Sequence, residues 1–150
     1  MEVDSGAPVV ASSETTIEAA PQTIWDVLVD VDSWPTWNSA VKMARMGGPL
    51  AEGTAFRWKA SSLTISSVFR AVDPPRTLGW SGQTLRIPAL HVYTIDPGPQ
   101  GTVVRSAESW GGLLASLFPR AMRKKLQLSL DFGLECLRTE AERRDARDQS

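Results

Sequence analysis

The chain contains one histidine and one tyrosine, which stand two residues apart as His91 and Tyr93. Histidine is the only side chain whose ordinary pKa lies near neutral pH, so His91 is a candidate general acid or base. Residues two apart share one face of a strand, so Tyr93 would extend the same polar surface. The alternative is that His91 is structural, which is the more common role of a single histidine.

Glu108 is a second candidate, and it shares one strand face with Ser106 and Trp110. If Trp110 points inward, the carboxylate does so too, and apolar surroundings would raise its pKa into a range useful for acid–base catalysis. A Gly- and Pro-rich turn precedes this strand, so a hairpin would place either His91 or Tyr93 across from Glu108 or Ser106. The alternative is that Glu108 points to solvent or lies at the open end of a cavity.

The composition argues against several other chemistries. One histidine and one cysteine, Cys136, cannot build a His/Cys zinc cluster or an internal disulfide. Neither the nucleotide-binding glycine motifs nor the G-x-S-x-G nucleophile motif is present, so we expect no metal and no cofactor. The formal net charge of −1 provides no basic field for nucleic acid.

The chain shows no targeting or membrane-spanning pattern. Its first ten residues, MEVDSGAPVV, lack the basic and apolar regions of a signal peptide. No apolar run approaches the ~18 residues of a membrane span. We therefore expect a cytoplasmic protein without integral membrane association.

The spacing of apolar residues predicts the elements that position these candidates. Residues 9–19 alternate as a strand, and 21–31 repeat at helical spacing before a second short helix near Pro35. About six strand segments fill 41–110 without a helical interruption, which favours antiparallel pairing. Apolar residues then recur every three or four positions from 113 to about 143, which predicts a long helix with one apolar face.

These elements predict an α+β fold in which a curved antiparallel sheet of about seven strands wraps around a long C-terminal helix, with two short helices after the first strand. We expect a single domain over 9–143. Residues 1–8 are predicted to be a disordered lead-in, and 144–150 a frayed tail.

The same order of elements resembles the START-like (SRPBCC) helix-grip superfamily, in its polyketide cyclase/dehydrase and lipid transport branch. The resemblance covers about 9–142. It rests on the segments 20–28 (APQTIWDVL), Asp30, 34–38 (WPTWN), 91–93 (HVY), 101–102 (GT) and 108–114 (ESWGGLL). It implies a deep cavity between the sheet and the long helix, but it carries over no catalytic set.

The large apolar side chains facing the helix are therefore predicted to be both core and pocket wall. Six tryptophans are available for this surface. The predicted ligand-binding residues are Trp37, Phe56, Trp58, Phe69, Leu78, Trp80, Ser106, Trp110, Leu126 and Leu130. The simpler alternative is plain core packing, with Trp34 and Trp37 closing one end.

Three functions fit these observations. The first is binding of a small hydrophobic molecule such as a lipid, a polyketide or an aromatic metabolite. The second is a polyketide cyclase or dehydratase that uses Glu108, His91 and Tyr93 as acid–base residues. The third is an interaction module using the basic residues of 120–125, which otherwise form a solvated helix face or meet an acidic partner or an anionic lipid surface.

Overall fold

A computed structural model describes residues 1–149. The strands are β1 (Val9–Ile17), β2 (Val41–Met46), β3 (Ala55–Ala60), β4 (Leu63–Asp73), β5 (Thr77–Thr84), β6 (Ile87–Gly98) and β7 (Gly101–Trp110). The helices are α1 (Pro21–Val29), α2 (Trp34–Trp37), α3 (Gly112–Leu117) and α4 (Pro119–Asp148), with a turn of 3-10 helix at Val31–Ser33.

The seven strands form one antiparallel sheet in the order β1-β7-β6-β5-β4-β3-β2. Each strand from β2 to β7 pairs with the next strand in sequence. Strand β1 pairs with β7 and therefore lies at one edge of the sheet. Short turns make this arrangement the natural one, because antiparallel neighbours need only a tight connection. The predicted α+β helix-grip architecture is confirmed.

Helix α4 lies along the concave face of the sheet. Its buried positions recur every three or four residues, which is the spacing of one helix face: Leu126, Leu130, Gly133, Leu134, Leu137 and Ala141. Pro119 occupies the first turn, where its missing N–H costs nothing. Two hydrogen bonds tie the helix to β1, from Gln127 Nε2 to the Ser12 carbonyl at 3.0 Å and from Ser13 Oγ to Asp131 at 2.6 Å.

Both ends of the described chain are placed against the domain. The Asp4 amide donates to Ser109 Oγ at 3.1 Å, which puts the first residues on the outer face of the sheet. Helix α4 continues to Asp148, five residues past the domain end that we predicted at residue 143.

The core is dominated by an aromatic cluster, which we define as Trp34, Phe56, Phe69 and Trp80. Phe56 and Phe69 stack with centroids 4.4 Å apart, and Trp34 meets Phe56 edge-on at 5.7 Å. The Trp34 indole also donates to the Leu28 carbonyl at 2.9 Å, which satisfies its only polar atom. A second cluster, beneath α3, contains Val9, Ala11, Ala115, Leu126 and Leu130.

A bulge in β4 changes the simple alternation of that strand. Phe69 pairs with Trp80, but the next partners are Ala71 with Gly79 and Val72 with Leu78. The extra residue turns Val72 to the inner face, where it packs against the main core. Strict alternation had placed Val72 on the opposite face from Phe69.

Candidate functional site

The hairpin of β6 and β7 brings the chemically capable residues together. His91 pairs with Glu108 and Tyr93 pairs with Ser106, and all four side chains point to the concave face. The register follows from a tight turn: β6 continues to Gly98, so only two residues separate the strands.

His91 lies between two polar partners. Its Nε2 is 2.7 Å from Ser106 Oγ, and its Nδ1 is 2.9 Å from Glu108 Oε1. The carboxylate lies off the direction of an Nδ1–H, so the two groups are close without forming a directed hydrogen bond. The direction of the hydrogen bond between Nε2 and the Ser106 hydroxyl depends on which ring nitrogen carries the proton.

Two more residues extend this arrangement into what we call the polar chain, Tyr93–Ser106–His91–Glu108–Trp110. At one end, the Trp110 indole N–H donates to Glu108 Oε2. At the other, Tyr93 shares a hydrogen bond with Ser106. Each member therefore contacts the next, and all five lie on the paired strands β6 and β7.

The Tyr93 hydroxyl is held in its neutral form. Burial raises the pKa of Tyr93 to about 12, and the negative charge of Glu108 adds to the rise, while the Ser106 hydrogen bond opposes it. Tyr93 is consequently a proton donor throughout the physiological pH range.

Aromatic rings shield the polar chain from water. The His91 ring lies 4.7 Å from the Trp80 ring and stacks on Tyr93 at 4.8 Å. Trp80 thus belongs to the aromatic cluster and borders the polar chain. Ser106 is fully buried, whereas the Glu108 side chain is 15% exposed, so the chain approaches solvent at its Glu108–Trp110 end.

Gly133 of helix α4 lies beside the Tyr93 end of the polar chain. A methyl group added there would lie 3.9 Å from Tyr93 Oη and 4.0 Å from Asn38 Nδ2. Glycine at this position leaves space for about one methyl group above Tyr93. Cys136, one turn further along, is half-buried, and burial raises the pKa of its thiol.

The predicted ligand-binding residues separate into four groups. Phe56, Phe69, Leu78 and Trp80 are buried in the main core, and Leu126 and Leu130 are buried beneath α3. Trp37, Trp58 and Trp110 are half-buried. Ser106 lies within the polar chain. The alternative that places Trp34 at one end of the core differs from the structure, where its ring contacts Phe56 and Trp80 of the aromatic cluster.

Two surface hollows occur elsewhere. One of about 400 Å³ lies between α1 and the end of α4, beside Asp26 and Arg143. The other, of about 660 Å³, lies between the β6–β7 turn and the end of α4, beside Gln100 and Glu142. Both have charged linings and lie away from the polar chain. Within residues 1–149, no three His, Cys, Asp or Glu side chains are grouped to hold a metal ion.

The described part of the chain contains no helix that is both long and apolar enough to cross a bilayer. Comparison with curated protein sequences gives no match. Residues 8–142 do match the family described as polyketide cyclase / dehydrase and lipid transport.

Solved structures share the fold at low sequence identity. A hypothetical protein from Helicobacter pylori is 12% identical with a TM-score of 0.82, over 91% of this chain and 90% of its own. A START superfamily protein from Mycobacterium smegmatis is 20% identical with a TM-score of 0.70, over 92% and 97%. A di-domain ARO/CYC from the steffimycin biosynthetic pathway is 17% identical with a TM-score of 0.75, over 91% of this chain and 51% of its own.

The family match covers nearly the whole chain, and the helix-grip architecture agrees with it. The chain therefore belongs to the polyketide cyclase/dehydrase and lipid transport family.

Proposed function

We propose that this protein binds a small hydrophobic molecule whose single polar group hydrogen-bonds to the polar chain. The observation that carries the proposal is a run of five hydrogen-bonding side chains on a largely apolar concave face. Ligand sites in proteins commonly combine apolar walls with a few convergent polar groups. The family to which the chain belongs supports the same class of ligand.

The exposure gradient along the polar chain favours entry from one end. Ser106 is fully buried, and Glu108 and Trp110 are the members nearest to solvent. A ligand entering there would place its apolar body against Trp110 and its hydroxyl or carbonyl near His91. Gly133 leaves additional space on the helix side.

The test compares two ligands that differ by one hydroxyl group. Binding of naphthalene and of 2-naphthol is followed by the fluorescence of the protein's tryptophans. We expect 2-naphthol to bind about fivefold more tightly, because one hydrogen bond to a buried polar group contributes on the order of 1 kcal/mol.

The variant His91→Phe keeps an aromatic ring but removes both ring nitrogens. This variant should bind naphthalene with unchanged affinity and should bind 2-naphthol no more tightly than naphthalene. Equal affinities in the unmodified protein, or an unchanged preference in the variant, would contradict the proposal. Native mass spectrometry of protein purified from its own host would then identify the natural ligand.

A polyketide cyclase or dehydratase is the second candidate, favoured by the position of His91 between Glu108 and Ser106. In a dehydration, His91 would remove the proton α to a ketone, a C=C bond would form, and the β-hydroxyl would leave as water with a proton donated by Tyr93. Glu108 would position the imidazole and stabilise its protonated form. The similar di-domain protein named ARO/CYC is consistent with such chemistry on this fold.

An aromatic β-hydroxyketone tests this candidate, since loss of water gives a conjugated enone that absorbs in the near ultraviolet. We expect Glu108→Gln to lower the rate about 100-fold and to shift its pH profile. The matched control is Glu14→Gln, which makes the same change at an exposed position of β1. Equal rates in the two variants would exclude this role for the polar chain.

A further inference from the structure

Four exposed apolar side chains project from one end of the molecule, and we call them the apolar tip: Leu85, Leu113, Leu117 and Phe118. Leu113 is 73% exposed and Phe118 58%. Leu85 lies in the β5–β6 turn, which contacts the start of α3: a Cβ added to Gly112 would lie 2.7 Å from the Arg86 carbonyl oxygen. Single exposed apolar side chains are common, but four neighbouring ones mark an interaction surface.

Basic residues flank the apolar tip along the sequence. The segment 109–130 contains no Asp or Glu, although the whole chain has a net charge of −1. Its four basic residues and the turn arginine form what we call the basic rim: Arg86, Arg120, Arg123, Lys124 and Lys125. All five are exposed. Among residues 1–149, the ion pairs of the structure involve other residues.

The turn that carries Leu85 has an unfavourable backbone. Leu85 and Arg86 have φ values of 49° and 60°, and they form the two-residue loop between the paired residues Thr84 and Ile87. Loops of this kind favour Asn-Gly, because left-handed conformations are costly for branched and long side chains. An apolar and a basic side chain are thus held at the tip at a cost in conformational energy.

We propose that the apolar tip and basic rim dock this protein on an anionic lipid bilayer. The leucines and Phe118 would enter the headgroup region, while the cations meet negative lipid phosphates and carboxylates. The surface is a projecting turn and a short helix rather than a groove, which suits a bilayer better than an acidic peptide. Docking goes beyond the proposed ligand binding and does not depend on the polar chain.

The experiment is co-sedimentation of the full chain with lipid vesicles. We expect binding to phosphatidylcholine vesicles that contain about 30% phosphatidylserine, none to phosphatidylcholine alone, and loss of binding at about 0.5 M salt. Absence of binding to the anionic vesicles would overturn the proposal and would leave an acidic protein as the partner to seek. Equal binding to both kinds of vesicle would also overturn it.

Matched variants separate the two contributions. Arg123→Glu with Lys124→Glu should weaken binding at least 25-fold, about fivefold for each cation removed. The control, Arg45→Glu with Arg57→Glu, makes the same charge change at an exposed pair across β2 and β3. Leu117→Ser should also weaken binding, whereas Leu128→Ser, equally exposed on α4, should not. Equal losses in variant and control would overturn the assignment.

A variant of the β5–β6 turn separates an effect on vesicle binding from an effect on stability. Replacing Leu85 and Arg86 by Asn and Gly should raise the melting temperature, since the new residues suit the turn, and should at the same time weaken vesicle binding. Unchanged vesicle binding in this variant would show that the turn is not part of the docking surface. Retained 2-naphthol binding in all these variants keeps this result separate from the ligand-binding proposal.

Discussion

The aromatic cluster and the polar chain occupy neighbouring parts of the same concave face, yet they are built differently. The aromatic cluster fills its space with four rings whose only polar atoms are two indole nitrogens, and Trp34 gives its own to a backbone carbonyl. The polar chain places five hydrogen-bonding side chains in sequence, with a carboxylate near the surface. Trp80 belongs to the aromatic cluster and borders the polar chain at His91.

The difference separates stability from function within one sheet. Close-packed rings contribute dispersion and apolar burial, and they leave no room for a ligand. Buried polar groups contribute little net stability, because each hydrogen bond replaces one with water. Substitutions in the aromatic cluster should therefore affect folding, while those in the polar chain should affect binding and pH dependence.

The largest effect is expected at Phe69. Phe69→Ala removes a fully buried ring from the aromatic cluster and should lower the free energy of unfolding by about 3–5 kcal/mol. Urea denaturation measures it. Val68→Ala, on the other face of the same strand and half-buried, is the control and should cost much less. A loss below about 1 kcal/mol at Phe69 would mean that the cluster is not the main source of stability.

Tyr93 should give the polar chain a distinct alkaline signature. Its pKa in the folded protein is about 12, against 10.0 as its ordinary value, so the unfolded chain loses this proton first as the pH rises. Stability should therefore fall above pH 10, by about 2 kcal/mol at pH 12. Tyr93→Phe should remove that dependence.

Because Tyr93 is the only tyrosine, the ultraviolet absorbance of tyrosinate reports its titration directly. A midpoint near pH 10 in the folded protein would contradict the burial of its hydroxyl.

A smaller change is expected at Gly133, where α4 faces the polar chain. Gly133→Ala removes the conformational freedom of glycine from a helix interior and should stabilise the protein by about 1 kcal/mol, or 2–4 °C in melting temperature. The added methyl group has ordinary contact distances to Tyr93 and Asn38. It should nevertheless weaken 2-naphthol binding, because it fills space beside the polar chain. A loss of stability would show that the helix is already packed tightly there.

The smallest effect is expected outside both regions, at Glu140. Arg143 and Arg144 lower the pKa of this carboxyl from 4.5 to about 2, so it stabilises the folded state above pH 4.5 and loses this contribution as the pH falls towards 2. Glu140→Gln should cost about 0.5 kcal/mol at neutral pH and nothing near pH 2. Measuring the free energy of unfolding of this variant from neutral to acidic pH shows how much of the loss of stability in acid comes from other groups.

Much of the fold follows from local sequence patterns. Two-residue alternation and a Gly- and Pro-rich turn place His91 near Glu108, because a tight hairpin fixes the register. Helical spacing after residue 113 identifies the face of α4 that lies on the sheet. These features depend on neighbours in sequence, which is why they can be predicted.

Features that depend on distant packing are not visible in those patterns. The bulge that turns Val72 inward appears only when β4 is paired with β5. Trp34 reaches the centre of the core because the short helices fold back over β3 and β5, bringing its ring to Phe56 and Trp80. The chemical roles of His91, Tyr93 and Glu108 remain predictions, since proximity alone does not define a reaction.

The open sheet has two edges, and the molecule protects them by different means. Along β1, side chains of α4 occupy backbone groups, as Gln127 does at the Ser12 carbonyl. The opposite edge, β2, is only six residues long and exposes Lys42 and Arg45. Short, cationic edges resist pairing with strands of other molecules. Helix α4, which completes the core, therefore also blocks edge-to-edge aggregation along β1. Along β2, charge repulsion has the same effect.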